Sequence, residues 1–119
     1  MSGDSPRVAE YLAHISQAIE RIQRYTEDMD EAAFAADELI QDAVIRNLEI
    51  IGEACRNIER GDPGFAAAHP EIPLAFAYEM RNALAHGYFK VDLALVWKTV
   101  ESDLPALYEQ ITSVSDGLE

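Results

Sequence analysis

The sequence predicts an all-α protein, built as an up-and-down bundle of four to five helices. Apolar residues recur at alternating spacings of four and three, which is the pattern of helices that bury one face. Residues that favour helix starts and ends, such as Pro6 and Gly61, separate these periodic segments. No segment alternates apolar and polar residues as a half-buried β-strand does. We therefore expect one helical domain over residues 1–119.

The first helix is expected to begin at Pro6 and to end near Tyr25. Ser5 is its predicted cap, and proline fits the first helical position because an N–H there has no partner within the helix. The predicted apolar stripe consists of Val8, Leu12, Ile15, Ile19 and Ile22. His14 lies off this stripe, so we expect it to be a solvated residue at the rim of the bundle.

The longest predicted element covers residues 32–58, starts after a cap at Asp30 and is broken near Asp37. Its apolar side carries Ile40, Val44, Leu48, Ile51, Cys55 and Ile58. Its other side carries Arg46, Asn47, Glu49, Glu53 and Arg56. Two interpretations of this polar side are open. It is a solvated face with local ion pairs, or it brings Arg46 or Asn47 near the functional motif described below.

A stretch of glycine and proline, residues 61–64, is expected to end the long helix. The segment that follows is predicted as a loop or a short turn, because Pro70 and Pro73 interrupt a regular helix. A third helix is expected over residues 74–86, directly after this loop.

A fourth helix is predicted from a cap at Asp92 to the C-terminus. Pro105 should kink this helix, or restart it after Asp103, because proline has no N–H and its ring clashes with the preceding turn. The predicted apolar stripe consists of Leu93, Val96, Trp97, Val100, Leu104, Leu107 and Ile111.

The charge balance is strongly acidic, with 9 Lys and Arg against 22 Asp and Glu and a net charge of −13. Lys and Arg make the phosphate contacts that dominate nucleic-acid affinity, so this balance argues against broad, sequence-blind binding of nucleic acid. Residues 1–45 carry ten acids and three bases, residues 46–90 six acids and five bases, and residues 91–119 six acids and one base. A nearly neutral centre in an acidic shell is compatible with a small, selective RNA site and with a basic protein partner.

The single cysteine, Cys55, has no partner for an internal disulfide. No apolar run approaches the length of a membrane span, and the N-terminus has no signal-type pattern. We therefore expect a cytoplasmic protein that does not contact the membrane. Cys55 falls on an apolar helical stripe, which favours a buried structural thiol over a nucleophile.

The densest group of functional side chains lies at the end of the third predicted helix. Arg81, Asn82, His86 and Tyr88 fall within eight residues of a chain that has only three His. Gly87 is suited to the left-handed backbone that ends a helix. Asn82 and His86 share a helix face, and Arg81 can reach the same ligand where the helix unwinds.

These residues resemble the Arg-x4-His-x-Tyr motif of HEPN-domain proteins, and within them the HepT-like ribonuclease toxins encoded beside an MntA-like nucleotidyltransferase. Residues 43–54 are similar to the second long helix of that family, and residues 91–97 to its next one. The resemblance extends over residues 11–111. It implies a HEPN-type helical bundle, a homodimer, and cleavage of RNA without a metal or another cofactor.

Ribonuclease chemistry gives each motif residue an expected role. Histidine suits proton transfer because its pKa lies near working pH, and the planar fork of arginine meets phosphate oxygens two at a time. Arg81 and His86 are therefore the expected catalytic residues, with Asn82 orienting His86 or a phosphate oxygen. The resemblance implies that two copies of Arg81 and His86 line one dimer cleft. Arg46 and Asn47 are the residues expected to bind substrate.

The resemblance also implies a toxin–antitoxin pair with a nucleotidyltransferase antitoxin. In such pairs the nucleotidyltransferase adds AMP to the tyrosine of the motif, which is Tyr88 in this sequence. A different possibility within the family is a non-catalytic subunit that binds nucleotide or positions substrate for the nucleotidyltransferase.

The motif has two other interpretations, a metal site and a purely structural role. A metal site could be assembled from Glu53, Glu79 and His86, but no two His are spaced at i and i+4 and there is no cysteine pair. Alternatively, the motif is purely structural, with Arg81 bound to backbone carbonyls, His86 capping the helix and Tyr88 buried at an interface.

Overall fold

The computed structural model describes residues 6–74 and 93–117. In this part of the chain the helices are α1 (Pro6–Tyr25), α2 (Glu31–Ala35), α3 (Glu38–Gly61), α4 (Pro63–Ala68), α5 (Leu93–Lys98) and α6 (Leu104–Gly117), with a π-helical turn (Thr99–Asp103) between the last two. None of these residues is in a β-strand, so the all-α prediction is confirmed. None of the helices described here is long and apolar enough to cross a membrane.

The antiparallel pair of α1 and α3 forms the centre of the bundle. The predicted apolar stripe of α1 is buried along its whole length, and so is most of the predicted stripe of α3. Two pairs of neighbouring residues show how the helices run. Arg21 of α1 bonds Asn47 of α3, and Tyr11 of α1 lines the same surface groove as Asn57 of α3. Since later residues of α1 meet earlier residues of α3, the two helices run in opposite directions.

The C-terminal helices close the bundle on two sides. In α5, the ring of Trp97 packs on Phe34 of α2 with centroids 5.3 Å apart, so this short pair of helices is joined through aromatic rings. α6 packs on α1, where the Tyr108 hydroxyl donates to a carboxylate oxygen of Glu20 at 2.7 Å. The buried apolar residues of these helices and of α1 and α3 form one continuous core.

Two aspartates cap the helices on either side of the predicted break, Asp30 at the start of α2 and Asp37 at the start of α3. A side-chain oxygen of Asp30 accepts from the N–H of Ala33 at 2.8 Å, and one of Asp37 accepts from the N–H of Ile40 at 3.0 Å. Each bond satisfies an N–H that the first turn of a helix leaves without a partner. The cap at Asp30 and the break near Asp37 are therefore both confirmed.

The loop predicted after the long helix is wrong in part, because residues 63–68 form the short helix α4. Asp62 caps this helix by accepting from the N–H of Phe65 at 3.0 Å, and Pro63 occupies its first turn. Phe65 is only 4% exposed, so its ring anchors the helix to the core. The helix ends before Pro70, because the residue that precedes a proline is disfavoured in the helical conformation.

Pro105 restarts the last helix as predicted. Because proline has no N–H, residue 105 cannot donate to the carbonyl of Glu101, and its ring would clash with that carbonyl in a regular helix. The chain responds by widening into the π-helical turn, in which the N–H of Leu104 donates to the carbonyl of Thr99. A new α-helix, α6, then begins at Leu104.

Cys55 is fully buried within α3. Burial raises the pKa of its thiol to about 12, with a smaller contribution from the charge of Glu59. The thiol is therefore protonated at neutral pH, and the prediction of a structural cysteine is confirmed.

Candidate functional site

The predicted site residues divide between two parts of the chain. Arg81, Asn82, His86 and Tyr88 lie outside the described residues, as does the predicted third helix after Leu74. Arg46 and Asn47 lie within α3. Among the described residues, the candidate site is therefore the surface around Arg46.

Arg46 lies in a groove of about 380 Å³ that runs along α1 and α3, called here the α1–α3 groove. The described residues that line it are Tyr11, His14, Arg46, Glu49, Ile50, Glu53, Ala54 and Asn57. Ile50 is half-buried and Ala54 is buried, which gives the groove an apolar floor. Its walls carry an aromatic ring, an imidazole, a guanidinium, carboxylates and an amide, which is a set of groups suited to binding a polar ligand.

The α1 side of the groove is formed by Tyr11 and His14. Tyr11 is half-buried and packs against the hydrophobic core, whereas His14 is exposed, as predicted. Their rings meet edge to face, with centroids 6.3 Å apart and planes 72° apart. The core contact and the His14 contact both restrict the Tyr11 ring, so the groove has a rigid aromatic surface at this end.

The α3 side of the groove combines opposite charges. Arg46 is exposed, and Glu53, seven residues further along, lies on the same helix face. Glu49 is half-buried beside them. Because one arginine is set among carboxylates, the groove does not present a uniform positive surface, and an anionic group is attracted only close to Arg46.

Asn47 is placed differently from its predicted face, because its side chain is buried and only 5% exposed. Its amide nitrogen donates to the carbonyl of Ala43 at 2.8 Å, and its amide oxygen accepts from Nε of Arg21 at 2.8 Å. The assignment of Asn47 to the outer polar face of the helix is therefore wrong. Both polar atoms of the amide are already bonded, so its influence on a ligand passes through Arg21.

Arg21 is fixed in place by this bond to Asn47. It lies seven residues after His14, two turns along the same side of α1, where it meets Asn47, the residue that follows Arg46. Only its Nε–H is used by Asn47, and among the described residues nothing bonds its two terminal nitrogens. These nitrogens form the planar pair that binds a phosphate or a carboxylate.

A larger cavity of about 420 Å³ lies on the other side of α3, between that helix, the π-helical turn and α6. The described residues that line it include the carboxylates of Glu71 and Asp103 and no Lys, Arg or His. Within the described part of this lining, the two carboxylates repel phosphate.

Within residues 6–74 and 93–117, no three His, Cys, Asp or Glu side chains are grouped so that they could hold a metal ion. The closest polar pair involving a histidine is His69 with Glu71, where Nδ1 lies 3.0 Å from a carboxylate oxygen. The hydrogen bond from His69, together with a backbone hydrogen bond that contributes more, lowers the pKa of Glu71.

Sequence reasoning did not single out Tyr11 and His14, the α1 residues of the groove, or the two arginines on the same side of α1. Arg7, Tyr11, His14 and Arg21 are separated by four, three and seven residues, which places them on one side of a helix. This second stripe runs beside the apolar stripe, and its arginines stand out in an acidic chain. That spacing was the available signal. Which partner on α3 each residue meets depends on the register of the two helices, which the sequence does not show.

Comparisons with known proteins agree on one family. The family model described as "Ribonuclease HepT-like" matches residues 15–114. A Thermococcus cleftensis protein named "Probable ribonuclease HepT" is 46% identical over 98 residues, which cover 82% of this chain and 86% of that protein. A Methanocaldococcus jannaschii protein named as an RNase is 36% identical over 107 residues, covering 90% of this chain and 95% of that protein.

A second M. jannaschii protein has a name that joins gamma-glutamylcyclotransferase with RNase. It is 42% identical over 109 residues, which cover 92% of this chain but only 48% of that protein. The chain thus spans about half the length of this relative. No solved structure matches the chain.

Proposed function

Because this chain belongs to the HepT-like ribonuclease family, we propose that it is a metal-independent endoribonuclease that cleaves RNA through Arg81 and His86. The match of the family model over residues 15–114 carries this proposal, because it spans the Arg-x4-His motif as well as the helices described here. Relatives named as ribonucleases, with coverage of most of both chains, support the same activity.

The proposed chemistry is transfer of the phosphate from the 5′-oxygen of one nucleotide to the 2′-oxygen of the preceding one. A base removes the proton of the 2′-hydroxyl, and an acid protonates the departing 5′-oxygen. His86 carries out proton transfer, Arg81 stabilises the charge that develops on the phosphate, and Asn82 orients His86 or a phosphate oxygen. The products are a cyclic phosphate and a 5′-hydroxyl.

Substrate binding is assigned to Arg46 and Asn47, in two different ways. Arg46 is exposed in the α1–α3 groove and contacts a phosphate directly. Asn47 is buried and contributes by fixing Arg21, whose terminal nitrogens take a second phosphate. With a net charge of −13, the protein attracts RNA through such local arginine contacts rather than through its overall field.

The active unit of the proposal is a homodimer. One histidine cannot conveniently act as base and acid in the same step, whereas a two-fold interface sets two copies of His86 opposite each other. We further propose that the protein is the toxin of a toxin–antitoxin pair. Its antitoxin is a nucleotidyltransferase that transfers AMP to Tyr88.

The proposal is tested by incubating purified protein with RNA, with and without a chelator, and identifying the product ends. Cleavage that leaves 5′-hydroxyl ends, persists with chelator and disappears in His86→Ala is expected. His69→Ala is the matched control, because that histidine bonds Glu71 in the loop after α4 and should leave cleavage unchanged. A dimer by light scattering is expected for the active protein. Wild-type protein that does not cut RNA would instead favour a non-catalytic subunit.

A further inference from the structure

Besides the arginine that a phosphate would bind, the α1–α3 groove carries an aromatic ring, carboxylates and an amide. Tyr11 and Asn57 line this groove and also line a smaller adjoining cavity of about 70 Å³, so the two side chains lie next to each other. Arg46 lies eleven residues before Asn57, about three turns along the same side of α3. The groove therefore has an aromatic and amide end and a cationic end.

The aromatic end suits a flat ring. Tyr11 packs against the core and contacts the ring of His14, so a ligand that stacks on it does not have to order a mobile side chain. Stacking of bases on aromatic side chains is the usual way in which proteins hold single-stranded RNA. The volume of about 380 Å³ lies at the lower end of the range for small-molecule sites, as expected for one nucleotide.

The carboxylates of the groove decide which base edge fits. A carboxylate accepts hydrogen bonds and repels other acceptors, so it selects a base that presents N–H groups. Guanine offers N1–H and the 2-amino group side by side, which match the two oxygens of one carboxylate. Uracil presents mainly carbonyl oxygens and fits poorly. Glu53 already has an interaction in the structure, whereas Glu49 is half-buried at the groove wall.

From this arrangement the geometry points to a guanine subsite, which rests on the proposed function for its substrate. In it Tyr11 stacks on a guanine of single-stranded RNA, and Glu49 accepts from N1–H and the 2-amino group. Asn57 bonds the sugar of this guanosine beside Tyr11, and Arg46, about three turns away along α3, holds a phosphate of a neighbouring nucleotide. The protein thereby binds RNA next to a guanine in preference to other bases.

The test is binding of fluorescent 2′-O-methyl RNA octamers, which cannot be cut through the 2′-hydroxyl. Seven positions are uridine, and one central position is guanine, adenine, cytosine, uracil or abasic. Wild-type protein is expected to bind the guanine octamer about tenfold more tightly than the all-uridine octamer. This ratio is in the range of one base stack or one bidentate base contact.

Variants test the stacking on Tyr11 and the hydrogen bonds to Glu49 separately. Tyr11→Ala should weaken guanine binding about tenfold, whereas Tyr11→Phe keeps it because the stacking surface remains. Glu49→Gln should remove the preference for guanine without weakening the binding of uridine, because the lost negative charge repels phosphate. The controls Tyr25→Ala at the end of α1 and Glu59→Gln on α3 replace the same residue types outside the groove and should change nothing. Circular dichroism checks folding, and Glu49→Gln decides the test if Tyr11→Ala does not fold.

Each outcome decides between the proposals. Wild-type protein that binds no octamer, or that binds guanine and abasic octamers equally, overturns the guanine subsite. So does a guanine preference that survives Glu49→Gln. Cleavage of RNA without any guanine preference would overturn this subsite and leave the ribonuclease proposal standing. Guanine-selective binding without cleavage would support this subsite and overturn the ribonuclease proposal.

Discussion

Arg21 and Asn47 are joined by a hydrogen bond of 2.8 Å between Nε of the guanidinium and the amide oxygen, across the antiparallel pair α1 and α3. One partner is charged, and the other is buried at 5% exposure. A bond of this kind stabilises more than a neutral one, and its loss leaves a polar group without a partner. It therefore fixes both the register of the two helices and the position of the guanidinium.

The first prediction is that Asn47→Ala destabilises the protein by about 1–3 kcal/mol, because the guanidinium of Arg21 loses its partner at the helix interface. Urea unfolding measures the change. The control Asn57→Ala alters the same residue type on the same helix at a half-buried position, and it should cost less. In a double-mutant cycle, Arg21→Ala and Asn47→Ala should not be additive. Additive effects would show that the bond contributes nothing.

The second prediction concerns Arg46 and phosphate. If the exposed guanidinium contacts one RNA phosphate, Arg46→Ala should reduce the salt dependence of binding to single-stranded RNA, lowering the slope of log K against log salt by about 0.7. Binding of 2′-O-methyl RNA at several salt concentrations measures this slope. Arg24→Ala is the matched control, because that arginine lies over the ring of Tyr25 at the end of α1. An unchanged slope in Arg46→Ala would exclude the phosphate contact.

The third prediction uses the thiol of Cys55. With a pKa of about 12, only about one molecule in 10⁴ carries the thiolate at pH 8, compared with about one in ten for a thiol near pKa 9. Folded protein should therefore resist a thiol reagent at pH 8 and react fully once urea unfolds it. Rapid labelling of folded protein, at the rate of the unfolded chain, would contradict the buried position.

The fold could largely be predicted because its signals are local. Asp30, Asp37 and Pro105 act through the backbone of their own turn, so the sequence shows their effects directly. The helix α4 was missed for an instructive reason. Pro70 and Pro73 predict an interrupted segment but lie after the helix, whereas Asp62 and Pro63 are a helix cap and a favourable first-turn residue that start it.

The site was harder to predict because it depends on how helices face each other. Asn47 follows Arg46 directly, and a rotation of 100° separates an exposed side chain from a buried one. Its burial is favourable because the carbonyl of Ala43 accepts from its amide nitrogen and Arg21 supplies a donor from another helix, 26 residues away in sequence. The contribution of Tyr11 and His14 to the groove likewise follows from the register of α1 and α3.

The fourth prediction concerns alkaline pH. The hydrogen bond from Tyr108 to Glu20 favours the protonated phenol and raises its pKa above the usual value. Since the folded pKa lies above the unfolded one, the stabilisation is complete below about pH 10 and is lost as pH rises through the folded pKa. Wild-type protein should therefore have a higher Tm than Tyr108→Phe at pH 7, and the difference should shrink as the pH rises above the ordinary pKa of tyrosine. A difference in Tm that stays constant with pH would show that the hydrogen bond to Glu20 does not raise the pKa of Tyr108.

The last prediction concerns Tyr88 and the proposed antitoxin. If AMP is transferred to this hydroxyl, the added phosphate lies two residues beyond His86, where its charge would occupy the guanidinium of Arg81 that an RNA phosphate needs. The adenosine would also fill the cleft. The acidic protein, at a net charge of −13, should meet a basic antitoxin quickly, at a rate that falls as salt rises.

Tyr88→Phe should therefore cut RNA at the wild-type rate and yet escape neutralisation. The measurement is the intact mass of wild-type and Tyr88→Phe protein after incubation with the nucleotidyltransferase, ATP and Mg²⁺, followed by an assay of RNA cleavage. Tyr108→Phe is the matched control, because its hydroxyl is engaged with Glu20 of α1, and it should accept AMP as the wild type does. Mass additions of one or more AMP groups on the Tyr88→Phe chain would place the modification on a different residue and remove Tyr88 from the proposal.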